Sequence, residues 1–410
     1  MHIRKLLRST SGNVFIMTAI LMPVILGSAG LAVDSIQWVL WKRQLQRAAD
    51  SAALAGAYAA SQAKDAVATA TADLTRTQEL VLTTPATIEN PPSSGSFSTN
   101  NKAVRVTLQY RKSLPFTGMF LSVAPLISAK STATAVSQGD YCVLALDPSN
   151  TTAVTMQGSA TVNLNCGIAT NSRSASAVTA SGSASIVATP ISAVGGIPAS
   201  NNYVAPTTLL PYSLPQDDPY ASLPTPTVSG CSAQVKVQPT DITTISPGCY
   251  RGMDIKGTVT FGDGTYVIDG NAFSLGSQAV VTGNNVTIIL TSNNAGSNPS
   301  SIATLDINGG ATVNLGAQTD GTYAGILFYQ DRRAVDSGTN TVNGNSSSSY
   351  RGAIYFANQE VDFNGTTGMQ TNCLQLVAKR VVFIGNSAIN NTCPTGPAHS
   401  FIGARVRLVA

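Results

Sequence analysis

The first 60 residues carry two apolar patterns in series. From Ser9 to Val33 the chain has no charge, and Val14–Val33 reads VFIMTAILMPVILGSAGLAV. About 20 such residues at 1.5 Å rise cover the roughly 30 Å hydrocarbon core of a bilayer, which predicts a transmembrane helix over 13–33 with a modest kink at Pro23. The helical period then continues without a Gly-Pro break. Leu45, Ala49, Ala52, Gly56, Ala59 and Ala63 follow at alternating four- and three-residue steps and form a seam of small residues. Such a seam lets another backbone approach closely, either a second subunit or the chain's own later strands.

Further on the period changes to two. Val104, Val106, Leu108 and Tyr110 alternate within Ala103–Arg111, and a second strand is expected over Leu126–Val136, so residues 34–139 read as an Ala-rich helix plus strands, pilin-like in outline. From about residue 140 the chain becomes short alternating runs broken by Gly, Asn and Ser. Turn-like units recur at Gly158, Gly182, Gly257, Gly283, Gly309, Gly365 and Gly385, with Gly257, Gly283 and Gly309 equally spaced. One strand-turn unit every 20 to 30 residues is expected of a solenoid, whose units bury apolar surface against their neighbours. The fold expectation for 140–410 is a mainly β, right-handed parallel β-helix, with an antiparallel β-sandwich as the alternative. Residues 197–228, with prolines at 198, 206, 211, 215, 219, 224 and 226, are expected to form a long loop across that body or a linker.

Charge and cysteine usage set the compartment. Only 11% of residues are charged, against roughly 25% in ordinary soluble proteins, and the net charge of +4 has no basic block beyond the N-terminal tail, which argues against nucleic acid as a partner. Arg4, Lys5 and Arg8 before the span favour a cytoplasmic tail over 1–12, while Lys42, Arg43 and Arg47 after it weaken that argument. The cysteines decide the orientation. Cys142, Cys166, Cys231, Cys249, Cys373 and Cys393 show no CxxC spacing and have only His2 and His399 for company, so disulfides are expected, closed locally as 142 with 166, 231 with 249 and 373 with 393, although six cysteines allow fifteen pairings. Disulfides imply an oxidising compartment, which places the bulk outside the cytoplasm, periplasmic or extracellular. A cleaved signal peptide, ending near Gly30-Leu31-Ala32, is the competing reading; the apolar run is longer than such segments need.

The residues from Gly12 onward carry a resemblance. Gly12, the step Leu31-Ala32-Val33-Asp34, and Leu45, Gln46, Ala48, Ala49, Asp50, Ala52, Ala53, Leu54 and Ala55 resemble the N-terminal segment of the TadE/TadG-like family of Flp (tight-adherence) pilus-assembly proteins. The resemblance covers about residues 12–60. It implies a membrane-tethered structural component whose N-terminal helix meets other pilus-assembly membrane proteins or pilins. Prepilin-type processing sites carry Glu five residues after the cleaved Gly; counted from Gly12 that position is Met17, which aligns the chain with uncleaved, TadG-like members.

Candidate chemistry is sparse. Asp254, Asp263, Asp269, Asp306, Asp320, Asp331, Asp336, Glu360 and Asp362 are scattered singly; Glu360 and Asp362 would share one face of a strand, and Asp331-Arg332-Arg333 would line a groove. A membrane-anchored polysaccharide-acting enzyme would need close carboxylates. Asp147-Pro148-Ser149-Asn150-Thr151 resembles the Asp-x-Ser-x-Ser/Thr metal loop of von Willebrand A adhesion modules, and is otherwise a turn. No catalytic, cofactor or metal residue is assigned. The expected role is non-catalytic, with a surface or carbohydrate ligand left open.

Overall fold

The computed structural model describes residues 11–365, 370–385, 388–391 and 401–409. The apolar span and the Ala-rich seam are one helix, α1 (Ser11–Ser61), which runs through Pro23 and extends about 77 Å for its 51 residues. It closes where Ala63 adopts a left-handed φ of 54°. Asp65 then caps α2 (Ala66–Thr77), its carboxylate accepting a bond from the Ala68 amide at 2.9 Å.

The chain divides into two units, Met1–Val136 with Val406–Ala410, and Ser137–Arg405. In the first, β1 (Thr87–Glu89), β2 (Val104–Tyr110) and β3 (Ile127–Ala145) pair antiparallel. The period-two pattern of β2 turns Val104, Val106 and Leu108 onto α1 and α2, where they bury Leu45, Ala49, Ala52, Ala53, Ala57, Ala70 and Leu74. Every described pairing between strands of the second unit is parallel, so the sandwich expectation fails.

The strands of this unit are mostly three to six residues long, and most pair with the third strand after them, while the long strands Ser349–Gly365 and Gln370–Phe383 pair with each other. Met253–Ile255 pairs with Ala272–Leu275 and that with Thr304–Ile307; Gly264–Asp269 pairs with Val286–Thr291 and that with Ile326–Gln330. Three successive strands thus make a tier. Alternate side chains turn inward to a continuous apolar core in which Phe261 and Phe273 meet tilted and Phe273 and Phe328 edge-on, with ring centroids 6.1 and 6.0 Å apart.

The order of tiers in space is not their order in the chain. Gln370–Phe383 pairs on its far side with strands from the start of the unit, Leu376 against Val143 and Val381 against Val154, and Ala388–Asn391 pairs with Thr161–Asn163. From there the tiers step on through Val178–Ala180 and Ile191–Ala193 to Leu209–Leu210. The unit therefore begins in mid-stack, builds to one end at residue 210, restarts at the opposite end at Val235, and builds back until it meets its own beginning.

The expected single loop over 197–228 divides in two: Tyr203 bridges Ile186 and Leu209–Leu210 pairs with Ile191 and Ser192, so 197–210 complete the end tier, and residues 211–228 make the return. They run as a strap over the outer surface of one strand column, where Tyr220 and Leu223 cover Tyr329, Tyr355 and Val377. Arg332 holds the strap by donating to the carbonyls of Tyr220, Ala221 and Leu223. Asn171 donates to the Gln216 carbonyl at 2.9 Å and accepts from its amide at 2.8 Å.

Gly158, Gly182 and Gly385 form one column of turns, with φ of 80°, 68° and 79°. Ser159 bonds the Gly385 carbonyl at 3.2 Å and Ser183 the Gly158 carbonyl at 2.9 Å. A Cβ on Gly182 would lie 2.8 Å from the Gly158 oxygen. The equal spacing of Gly257, Gly283 and Gly309, by contrast, is coincidence. Met253 pairs with Phe273 and Phe273 with Leu305, steps of 20 and 32 residues, so Gly257 and Gly309 occupy one turn type two tiers apart while Gly283 ends a strand in another column.

Disulfides join Cys142 to Cys166 and Cys231 to Cys249, each stapling one tier to the next across 24 and 18 residues. The expected pairing of Cys373 with Cys393 lies outside the described residues.

Candidate functional site

Two regions compete as the functional site: α1, and the charged side chains of the second unit. In α1 the side chains of Ile16, Ile20, Leu21, Met22, Val24, Ile25 and Leu26 are all 53–66% exposed, on every side of the helix. A helix apolar all round with no protein packed on it needs an apolar surround. It is the one helix among the described residues long and apolar enough to cross a membrane.

Beyond Trp41 the same helix turns into a packing element. Leu45, Ala49, Ala52 and Ala59 are buried, and a Cβ on Gly56 would lie 2.9 Å from Val104 Cγ1 and 3.1 Å from the Ala66 carbonyl. The seam thus faces the chain's own α2 and β2. Ala63 does not join it; this residue lies past the helix end and is exposed. Replacing Gly56 with Leu therefore overpacks the first unit and lowers its stability by about 1–3 kcal/mol. Thermal unfolding of the full chain in detergent measures this; an unchanged midpoint would show that the seam tolerates bulk.

The densest group of charges in the second unit is a paired cluster around Arg380. Arg380 lies 3.0 Å from Glu360 Oε2 and 3.0 Å from Asp147 Oδ2, and grips both oxygens of Asp336 at 3.1 and 2.7 Å. Lys379 adds a contact to Asp336 at 2.8 Å. The bonds from Arg380, then from Lys379, outweigh partial burial and hold Asp336 down to about 2. Burial works to raise Asp147, but bonds from Ser149, Arg380 and Thr151 prevail and hold it below the ordinary range. Asp362 is raised, by burial and then by Glu360 beside it.

This geometry decides the Asp147–Thr151 loop. Asp147 accepts from the Ser149 amide at 2.9 Å and the Thr151 hydroxyl at 3.1 Å, a turn closed on itself, and its remaining valence is taken by the Arg380 guanidinium where a cation would sit. Among the described residues no group of three His, Cys, Asp or Glu side chains is placed to hold a metal ion. Nor does Asp331-Arg332-Arg333 line a groove. Asp331, 1% exposed, is held by Arg333 at 2.6 Å and by the Thr291 hydroxyl at 2.7 Å, while Arg332 clamps the strap. A shallow polar groove of about 600 Å³ does run across one strand column, lined by Gln234, Asp254, Asn271, Ser274, Asp306 and Asn308. Asp254 and Asp306 stand two tiers apart there with Ser274 between them, and Asp254 is paired with Lys256 at 3.5 Å.

The continuous helix, bare and apolar in its first half and packed on its own sheet in its second, is the distinctive element. Residues 12–63 match the TadE/G-like Flp pilus-assembly family. No curated protein and no solved structure matches the chain. The TadE/G-like segment ends at Ala63, the residue at which α1 closes, so it is one structural element: a span that fits a membrane anchor followed by a packing helix.

Arg380 was not singled out from the sequence. Its signal was slight, a Lys-Arg pair inside the otherwise apolar run Leu376–Phe383.

Proposed function

We propose that the chain is a membrane-tethered, non-catalytic component of a Tad/Flp pilus-assembly system, anchored in the inner membrane by α1 and carrying its second unit on the outer, oxidising side. The match of residues 12–63 carries this reading. The two disulfides support an oxidising compartment. The parallel pairing of most strands with the third after them supports a three-sided, right-handed parallel β-helix for residues 137–405, since a crossover between parallel strands is almost always right-handed. Partners are other pilus-assembly membrane proteins or pilins, and the face of α1 left to them is the exposed one through Ile20 and Val24, because the seam is covered from within.

Three experiments test the reading. Alkaline phosphatase fused after Val136 is active and a cytoplasmic reporter there is silent; the reverse would overturn the topology. A photo-crosslinker in place of Ile20 captures other Flp-assembly proteins in piliated cells, and deletion of the gene abolishes Flp pili. Intact piliation and adherence in the deletion would refute the role. The polar groove between Asp254 and Asp306 supports a second reading, in which the β unit holds a carbohydrate; binding of cell-surface polysaccharide that Asp306→Ala abolishes would favour it.

A further inference from the structure

The loop between β2 and β3 points along α1 toward its apolar half. Its two ends are fixed beside the packing half of the helix. Tyr110 meets Trp41 edge-on at a centroid distance of 5.0 Å, Lys42 donates to the Ser128 carbonyl, and Gln46 donates to the Lys130 carbonyl at 3.2 Å. Its tip lies far down the helix. Asp34 Oδ2 accepts from the amides of Phe116 and Thr117 at 3.0 and 2.6 Å and from the Thr117 hydroxyl at 2.9 Å, and the ring of Phe116 covers Gly30, where a Cβ would lie 2.1 Å from it. From Trp41 to Gly30 is eleven residues, about 16 Å of helix.

The tip is apolar and bare. Ser113–Ala129 holds no charge and is flanked by Arg111, Lys112 and Lys130. Met119, Phe120 and Val123 are 77%, 72% and 61% exposed. An apolar patch of this kind on a protein surface is covered by something. This one is continuous with the exposed apolar surface of the span itself, where Leu31 and Val33 are 39% and 62% exposed, and has basic residues at both ends of the loop, as at a membrane boundary.

We propose that residues 114–126 form a second membrane element, a loop dipping into the outer leaflet beside α1, with Asp34 as its anchor. This rests on the reading of α1 as a membrane span. Asp34 is a carboxylate 2% exposed at the edge of the span, a costly placement that its three bonds from the loop offset. Gly30 leaves room for the Phe116 ring. The loop fixes the depth and rotation of α1 in the bilayer through aromatic and aliphatic side chains, as interfacial segments do.

The test places single cysteines at Phe120, Ile25 and Asn101 in the full chain. The purified protein is reconstituted in phosphatidylethanolamine and phosphatidylglycerol vesicles, where no other protein is present, and reaction with a membrane-impermeant maleimide is measured against the parent chain. Phe120→Cys and Ile25→Cys react at least about tenfold more slowly than Asn101→Cys, and a bimane at position 120 is quenched by doxyl-labelled phospholipid. Adding Asp34→Leu restores fast reaction at 120 and leaves 25 protected. Fast reaction at 120 with 25 protected overturns the inference and leaves the span intact; fast reaction at 25 overturns the span as well. Protection at 120 that disappears on dilution with lipid would assign the patch to a second copy of the chain and overturn the inference too. Protection that survives Asp34→Leu would remove Asp34 as the anchor.

Discussion

Replacing Arg380 with methionine destabilises the second unit by about 3 kcal/mol, the low end of the roughly 3–5 kcal/mol for breaking a buried ion pair, because Arg380 is itself 22% exposed. The loss comes chiefly from Asp147, whose side chain is 3% exposed and would keep its charge with only Ser149 and Thr151 to bond it. Adding Asp147→Asn removes that stranded charge, so the double variant recovers at least about 1 kcal/mol relative to Arg380→Met alone, the signature of coupled neighbours. Hydrogen exchange on the full chain locates the damage at 141–156 and 376–383, the two sides of the junction. A loss spread evenly over all tiers, or a double variant weaker than the single, would refute the assignment. The cluster also sets an acid limit. Asp336 is held at about 2 against an ordinary 3.8, so its stabilisation is fully present above pH 4 and is lost as pH falls from there toward 2; Asp147, lowered in the same way, adds to it. In Arg380→Met this acid dependence is reduced.

Truncating Tyr355 to alanine costs about 4 kcal/mol, within the range for large buried aromatics. The ring is fully buried, stacks on Tyr329 at 5.1 Å and meets Tyr220 of the strap edge-on at 5.3 Å. Its hydroxyl donates to Asp218 Oδ2 at 2.6 Å. Burial, and then the Asp218 charge, push the phenol well above its ordinary value, so it stays a donor through the alkaline range. The truncation frees the strap, and limited proteolysis then cuts within 214–226, a segment protected in the parent. Tyr355→Phe keeps the rings together and loses one hydrogen bond, about 1 kcal/mol, with the strap still protected. Equal cleavage of parent and Tyr355→Ala would show that the strap is held without this ring.

These two sites differ in how far the sequence foretells them. The strap over 211–228 was legible, since prolines at close intervals bar a central strand, but the same signal hid the end tier that Tyr203 and Leu209–Leu210 complete; the turn shared by Gly158 and Gly182 was legible too, because their tiers are neighbours in both chain and space. Gly385 carried the same turn signature, but nothing local says that it stacks on Gly158. The junction at Arg380 was illegible for that reason: it joins residues 233 apart, and pattern along the chain reports only near neighbours. The even spacing of Gly257, Gly283 and Gly309 misled because a long turn over 292–303 lengthens one tier, and a constant period then falls on different turns. In the helix the seam was readable from its period as far as Ala59. The duty of Asp34 was not, because its partners arrive 82 and 83 residues later.

A chain made from its N-terminus outward exposes the tier of Val143 and Val154 long before the strand that covers it, Gln370–Phe383, exists. Ordinary repeat arrays nucleate anywhere and grow at their ends. This one has to keep an unsatisfied internal edge open until almost the whole unit has been synthesised, then close it in a single late event. Such an edge is a template for wrong pairing, so the nascent chain is at its most aggregation-prone just before completion. A chain that stops before the closing strand leaves that early edge uncovered, so it lacks the support of the early tiers as well as the missing strands.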